Sequence, residues 1–132
     1  MQLELKEAEK FYHEHQGKFF FQRLTLFMSS GPISTHILFG EDAVSKWRTL
    51  LGPTKVIKAQ YEDPGSFRGS FGVTDTRNVG HGSDSEETAL KEIAFFFPEF
   101  CYTSWSKTES RYFQNGKVIF NEEQFVHKPV IK

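Results

Sequence analysis

Cysteine is nearly missing from this sequence, since Cys101 is the single cysteine among 132 residues. A disulfide within the chain is therefore excluded, and a lone thiol fits a reducing, intracellular compartment. No apolar run is long enough to cross a bilayer. Residues 1–7 are acidic and lack arginine, so they show neither a signal peptide nor a transit peptide.

An excess of charge is also missing, since 16 basic residues stand against 17 acidic ones and the formal net charge is −1. Proteins that bind nucleic acid or membrane surfaces concentrate positive charge, so we expect neither as a main partner. Phenylalanine, by contrast, is abundant, with 15 residues. We predict one domain with most of these rings in its core, where each contributes roughly 1.5–3 kcal/mol.

The most distinctive stretch is residues 77–85, RNVGHGSDS, which sets a histidine between two glycines. Gly80 and Gly82 are predicted to let the backbone turn and to leave open space around the imidazole of His81. A neutral imidazole is a good nucleophile near physiological pH. A histidine in a glycine-rich loop is also common as a turn or surface residue, and the residues alone leave both interpretations open.

A helix is predicted to begin shortly after His81. Ser83 stands three residues before Glu86, which is the spacing of a capping box, so the helix should cover about residues 84–97 and stop at Pro98. The N-terminus of a helix attracts anions through its unpaired N–H groups and its dipole. A nucleophile beside such an end favours phosphate chemistry.

The rest of the chain is predicted as a mixture of helices and strands in one α/β sandwich. Trp47 and Leu51 should face the core from one of the helices. Asn115 and Gly116 form a strong two-residue turn signal, which predicts a hairpin over residues 111–120. The other predicted helices are 3–15, 19–28 and 42–51, the strands are 33–39 and 71–76, and a long loop covers 55–68.

The histidine motif continues into the predicted helix. Residues 77–85, followed by Ala89, Glu92 and 96–98, closely resemble the active-site signature of the nucleoside diphosphate kinase family. Residues 67–78 are most similar to the nucleoside diphosphate kinase 6 subgroup. The resemblance implies an enzyme that transfers the γ-phosphate of a nucleoside triphosphate to a nucleoside diphosphate by a ping-pong mechanism through a phosphohistidine.

The resemblance assigns catalytic roles to four residues. His81 matches the phosphorylated nucleophile, and Glu92 matches a carboxylate that orients its ring. Tyr12 matches a tyrosine whose hydroxyl lies near the active site. Ser83 is placed to support the site, and helix capping by the same side chain is compatible with that role.

Nucleotide binding is assigned in the same way to Phe20, Arg48, Thr54, Arg68 and Asn78. Phe20 matches a ring that stacks on the nucleobase, a contact that tolerates any base. The two arginines and Thr54 match phosphate ligands, and Asn78 matches a ligand of the ribose 3′-hydroxyl. Without the resemblance, core packing of Phe20 and a solvated position for each arginine are the simpler interpretations.

The ligands implied are ATP, GTP and other nucleoside di- and triphosphates, with Mg²⁺ held by their phosphates rather than directly by the protein. The alternative is a non-catalytic nucleotide-binding or partner-binding module derived from such a kinase. The subgroup resemblance makes the mitochondrion a candidate location beside the cytoplasm.

The fold implied is α/β (α+β), with a ferredoxin-like antiparallel sheet flanked by helices over residues 1–100 and a C-terminal tail over 101–132. Family members begin with a strand that carries an Ile-Lys-Pro-Asp-like motif, and its lysine contacts the transferred phosphate. This sequence has no such segment. The expected domain is therefore N-terminally incomplete and misses a central strand.

A sheet that misses a central strand leaves backbone N–H and C=O groups unpaired on both neighbouring strands. We therefore expect low stability, or association of the chain with itself or with another chain. A circular dichroism melt of the purified chain measures this. A cooperative transition above body temperature in a monomer would contradict the prediction.

Overall fold

Two short helices open the chain and pack against each other. The computed structural model describes residues 1–131. Helix α1 spans Leu5–Phe11, a 3-10 turn follows at His13–His15, and α2 spans Phe21–Met28. The backbone N–H of Glu4 donates to the carboxylate of Glu7 at 2.8 Å, as in a capping box. Both helices predicted for this region are confirmed, with shorter bounds.

The middle of the chain is helical throughout, with α3 at Ala43–Leu51, α4 at Val56–Glu62 and α5 at Phe67–Phe71. The prediction of a long loop over residues 55–68 is wrong. Val56 and Ala59, three residues apart, bury one side of α4. Ser66 then accepts a hydrogen bond from the N–H of Gly69 at 3.1 Å, which caps α5.

The strands predicted at residues 33–39 and 71–76 are absent from the described part of the chain. Met1 and Ile33 exchange two backbone hydrogen bonds, of 3.0 and 2.8 Å, but no further backbone pairing of residues 33–39 follows within residues 1–131. A strand needs a neighbour along its length. Residues 72–76 instead form a loop, closed by a hydrogen bond from the N–H of Val73 to the carbonyl of Arg77 at 3.0 Å.

The C-terminal tail carries the β-structure. Helices α7 (Tyr102–Thr108) and α8 (Ser110–Gln114) precede an antiparallel pair, β1 (Val118–Asn121) and β2 (Val126–Pro129). The hairpin predicted over residues 111–120 is wrong, because Asn115 and Gly116 end α8 instead. Gly116 has a φ of 64°, which is typical of a helix C-terminus. The mixed α and β class is confirmed.

An aromatic cluster attaches this tail to the segment before α3. The ring of Trp105 contacts Phe39 edge-on, with centroids 4.8 Å apart, and it also packs against Phe113 at 5.3 Å. Such edge-to-face pairs contribute about 0.5–1.5 kcal/mol beyond the apolar area that they bury. The tail is therefore held mainly by aromatic packing.

The buried core is small, and the expectation that most phenylalanine rings fill it is wrong. Phe19 is 87% exposed and Phe125 is 70% exposed. Rings are buried only when a second layer covers their element, and residues 1–131 form no sheet beyond the two-stranded one. No helix among these residues has the length and hydropathy to cross a membrane. The buried apolar side chains are Leu3, Ala8, Tyr12, Leu51, Val56 and Ala59.

Gly52, directly after α3, adopts a backbone conformation that other residues avoid. Its φ is 82°, and a Cβ added there would stand 2.6 Å from the Cβ of Ser66. We predict that Gly52→Ala lowers the free energy of unfolding by about 2–4 kcal/mol, because left-handed strain and overpacking add. Urea unfolding measures the change. Gly40→Ala is the control, since Gly40 has open space around it; an equal loss in both variants would contradict the prediction.

Candidate active site

One buried arginine holds the histidine loop, residues 78–82. Arg68 extends from α5 and is 8% exposed. Its guanidinium donates to three main-chain carbonyls: Nε to Asn78 at 3.2 Å, Nη2 to Gly80 at 2.8 Å and Nη1 to Gly52 at 2.8 Å. Hydrogen bonds from a charged donor are stronger than neutral ones. Arg68 therefore ties the loop to the end of α3.

The electrostatic cost of burying Arg68 does not remove its charge. Burial lowers the pKa of Arg68, and the nearby positive charge of Arg48 lowers it further. A guanidinium nevertheless stays protonated in proteins. The site thus contains a fixed positive charge directly beside the histidine loop.

Val79 carries the backbone strain of the loop, with a φ of 80°. A β-branched residue in the left-handed region is a genuine outlier, and such a conformation costs roughly 1–2 kcal/mol. Arg68 binds the carbonyls of both neighbours of Val79, at Asn78 and Gly80. These hydrogen bonds offset the strain, which is confined to the second residue before His81.

The two glycines beside His81 allow side chains of α3 to pack closely on the loop, and they do not leave open space around it. A Cβ on Gly82 would stand 2.7 Å from Cδ1 of Trp47, and one on Gly80 would stand 2.9 Å from Cδ2 of Leu51. Neither glycine has a positive φ. The sequence-based explanation by turning freedom is therefore wrong, because α3 lies so close to the loop that only glycine fits.

Two consecutive residues of α3 bind consecutive carbonyls of the loop. Nε1 of Trp47 donates to the carbonyl of His81 at 3.0 Å, and Nη1 of Arg48 donates to the carbonyl of Gly82 at 3.3 Å. The peptide group after the histidine is therefore fixed from the helix side. The loop is held by side chains of α3 and α5 together.

The imidazole of His81 is bound from the opposite side by α6, which spans Glu86–Phe96. Nε2 of His81 lies 2.9 Å from both carboxylate oxygens of Glu92, and the Ser83 hydroxyl donates to the same carboxylate at 2.6 Å. The predicted pairing of histidine and glutamate is thus present as a direct contact.

The helix begins later than the sequence suggested. Ser85, not Ser83, is the N-cap of α6, and its Oγ accepts from the N–H of Thr88 at 3.1 Å. The predicted capping box of Ser83 and Glu86 is wrong, because the carboxylate of Glu92 takes the Ser83 hydroxyl. Ser83 therefore supports the histidine rather than the helix end.

The charge of Glu92 is maintained despite its partial burial. Burial alone raises the pKa of Glu92, but the hydrogen bonds from His81 and Ser83 lead the effects that outweigh it and hold the pKa below the usual 4.5. Glu92 is therefore a carboxylate at neutral pH. An ionised partner accepts the Nε2–H of the imidazole and leaves the lone pair on Nδ1.

Aromatic rings from the end of α1 cover the imidazole. The centroids of Phe11 and Tyr12 lie 5.4 and 6.2 Å from that of His81, both edge-on. Tyr12 is buried, and burial together with the negative charge of Glu92 raises its pKa to about 12. The phenol therefore stays protonated and remains a hydrogen-bond donor.

The residues predicted to bind nucleotide differ in their exposure and in their contacts. Phe20 lies before α2, half-exposed, with its ring 5.3 Å from His15 and the Nζ of Lys18 5.7 Å from its centroid. Thr54 is exposed in the connection after α3. The side-chain amide of Asn78 donates to the carbonyl of Asp75 at 2.9 Å. Arg48 is exposed at the loop, whereas Arg68 is buried behind it.

Sequence reasoning missed two residues of the site, Trp47 and Phe11. Trp47 was expected to face the core. Its position directly before Arg48, a predicted site residue on α3, was the only feature of the sequence that pointed to the site. Phe11 belongs to the apolar pattern of α1, and such a pattern does not distinguish core packing from contact with an imidazole.

The lowered pKa of Glu92 predicts a pH dependence of stability. A carboxyl group whose pKa is lowered by folding stabilises the protein above its unfolded-state pKa, and this contribution is lost as the pH falls through the folded-state value. We predict that the difference in free energy of unfolding between the wild type and Glu92→Gln narrows as the pH falls below about 4.5. Urea unfolding at a series of pH values measures it.

Glu87→Gln is the matched control on the same helix, because the Glu87 side chain is 82% exposed and forms an exposed ion pair with Lys91. Its difference from the wild type should stay small across the series. A Glu92→Gln difference that widens toward acid would contradict the prediction.

The amino-acid sequence is similar to proteins of one family. The family model described as nucleoside diphosphate kinase matches residues 1–101. The nucleoside diphosphate kinase 6 of Danio rerio is 53% identical over 121 residues, which are 92% of this chain and 69% of that protein. The human nucleoside diphosphate kinase 6 is 50% identical over 122 residues, which are 92% of this chain and 66% of that one.

The solved structures agree. The Aquifex aeolicus nucleoside diphosphate kinase superposes with a TM-score of 0.71 at 41% identity, over 74% of this chain and 69% of that one. A Halobacterium salinarum nucleoside diphosphate kinase, solved in complex with CDP, gives a TM-score of 0.67 at 37% identity, over 74% of this chain and 63% of that one. The predicted fold class and resemblance are confirmed: the chain belongs to the nucleoside diphosphate kinase family.

Proposed function

We propose that this chain transfers the γ-phosphate of a nucleoside triphosphate to a nucleoside diphosphate through a phosphohistidine at His81. The observation that carries the proposal is the contact of Nε2 of His81 with the carboxylate of Glu92 at 2.9 Å, braced by Ser83. This contact leaves Nδ1 as the nitrogen with a free lone pair. A fixed tautomer is what a nucleophilic imidazole needs.

In the first half-reaction, Nδ1 of His81 attacks the γ-phosphorus, and the bond from that phosphorus to the bridging oxygen breaks. The nucleoside diphosphate leaves with the electron pair, and the positive charge on the ring is stabilised by Glu92. In the second half-reaction, a terminal oxygen of another nucleoside diphosphate attacks the phosphorus, and the bond to Nδ1 breaks. Atoms and charge balance over the cycle without any other reactant.

Positive charge beside the loop supports phosphoryl transfer, because negative charge spreads over the equatorial oxygens in the transition state. Arg48 is exposed and is the proposed direct phosphate ligand, together with Thr54. Arg68 donates to carbonyls through all three nitrogens, and one N–H on each terminal nitrogen remains for phosphate. The protonated phenol of Tyr12 is the proposed neutral donor.

We assign the nucleoside to Phe20 and Asn78. Phe20 is half-exposed, and it is the proposed stacking partner of the base, a contact that any base can make. Asn78 is the proposed ligand of the ribose 3′-hydroxyl. The substrates are therefore ATP, GTP and other nucleoside di- and triphosphates, in line with the CDP bound by the halobacterial relative.

Mg²⁺ fits this site as a companion of the nucleotide. Within residues 1–131 no three side chains of His, Cys, Asp or Glu converge on one point, and the carboxylate of Glu92 is engaged by His81 and Ser83. When bound, the ion would neutralise phosphate charge, held by phosphate oxygens and water. The setting we propose is intracellular, cytoplasmic or mitochondrial, where the exposed thiol of Cys101 stays reduced.

A second candidate is a non-catalytic nucleotide-binding or partner-binding module. The burial of Arg68 favours it, because two of its donors bind loop carbonyls and a third binds the carbonyl of Gly52, instead of facing a ligand. Arg48 would then be the main phosphate contact. The two candidates differ in one observable, which is the covalent phosphate on His81.

We predict that the purified chain, incubated with γ-labelled ATP and Mg²⁺, acquires acid-labile and base-stable label that GDP discharges. His81→Ala should abolish the label and leave nucleotide binding largely intact, because the imidazole supplies the nucleophile and not the main binding contacts. Scintillation counting of the isolated protein measures the label, and titration with a fluorescent nucleotide measures the binding.

His127→Ala is the matched control, since His127 lies exposed on β2, and this variant should label like the wild type. Label that persists in His81→Ala would overturn the assignment of the nucleophile. A folded, nucleotide-binding wild type without label would support the binding module.

A further inference from the structure

We propose that Trp47 is a positioning residue for His81, acting through the main chain of the nucleophile. This inference rests on the proposed phosphotransfer and adds a residue to it. The indole Nε1–H donates to the carbonyl of His81 at 3.0 Å, from a helix 34 residues earlier in the chain. Trp47 therefore does not touch substrate in this proposal.

The direction of one carbonyl constrains the imidazole because a peptide unit is planar. The carbonyl of His81 and the N–H of Gly82 turn as one plate. Arg68 holds the preceding plate through the carbonyl of Gly80, so the two contacts together restrict φ and ψ of the histidine. The direction in which the imidazole leaves the backbone is then set by α3 together with α5. Glu92 fixes the far end of the same ring at 2.9 Å from α6. The nucleophile is thus held by three helices.

The indole is itself held in place. A Cβ added to Gly82 would lie 2.7 Å from Cδ1 and 3.1 Å from Nε1 of the indole, so the ring packs directly on the glycine. The ring of Phe67, at the start of α5, lies 5.8 Å away at an angle of 57°. Trp47 cannot turn away without losing both contacts. The glycine after the histidine gives the space for this arrangement.

Alignment of the attacking nitrogen decides the rate of phosphorylation, whereas nucleotide binding depends on other residues. Loss of the indole hydrogen bond should loosen the ring without removing a binding contact. For Trp47→Phe we expect phosphorylation of His81 to slow about tenfold, the effect of one neutral hydrogen bond. The dissociation constant for ATP should be unchanged.

The experiment compares the wild type, Trp47→Phe and Trp105→Phe, since the chain has two tryptophans and Trp105 lies in the tail cluster. Rapid-quench labelling with γ-labelled ATP gives the phosphorylation rate. NMR of the ¹⁵N-labelled imidazoles gives the ring shifts of His81, which report on its hydrogen bond to Glu92 and need no catalysis. We expect both quantities to change in Trp47→Phe and neither in Trp105→Phe.

A second variant guards against a folding defect. Replacing the indole of residue 47 by benzothiophene, in which sulfur takes the place of the N–H, keeps the ring size and removes only the donor. It should reproduce the slow phosphorylation and the altered ring shifts of Trp47→Phe.

The outcomes separate the two proposals. A wild-type rate in the benzothiophene variant would overturn the role of Trp47, as would a parallel loss of rate and ATP affinity. If a folded wild type acquires no label, the phosphotransfer proposal fails, and the ring shifts then decide on Trp47 alone. Unchanged His81 shifts in both variants would overturn its positioning role.

Discussion

Three hydrogen bonds from the guanidinium of Arg68 connect the histidine loop to the end of α3, and the geometry of the site depends on them. They reach the carbonyls of Asn78, Gly80 and Gly52, which belong to two segments distant in sequence. A buried carbonyl without a donor costs about 1–3 kcal/mol. A smaller side chain here would remove the donor to the carbonyls of Gly80 and Gly52, whereas the carbonyl of Asn78 would keep the N–H of Gly80. The cation that supports the loop also provides positive charge beside His81.

The loop that Arg68 holds is strained and tightly packed. Val79 occupies the left-handed region just before His81, and the glycines on either side of the histidine allow α3 to approach. Strain of this kind persists only where the surroundings fix the backbone from several sides. Here α5 fixes one side, α3 fixes another and α6 binds the imidazole. A rigid scaffold of three helices thus presents a loop residue, which is a common arrangement for catalytic side chains.

The closely fixed geometry of the histidine loop contrasts with the small size of the buried core. Leu51 is buried against Gly80 of the loop, and Val56 and Ala59 are buried on α4. Large side chains such as Ile57 and Tyr61 are exposed on the same helix. The chain spans about two thirds of the length of its relatives, and its fold is similar to that of the solved Aquifex aeolicus nucleoside diphosphate kinase.

The sequence by itself determined the features that depend on neighbours along the chain. Helical periodicity identified α1, α2, α3 and α6, and the motif around His81 identified the family and the partner Glu92. Tertiary structure decided the rest, because it depends on residues far apart in sequence. Residues 33–39 have a strand-like pattern but, within residues 1–131, no backbone partner past Ile33, and a pattern cannot reveal whether a partner exists. The close packing of Trp47 on Gly82, and its hydrogen bond to the carbonyl of His81, join residues about 34 positions apart. Only the approach of α3 to the loop creates these contacts.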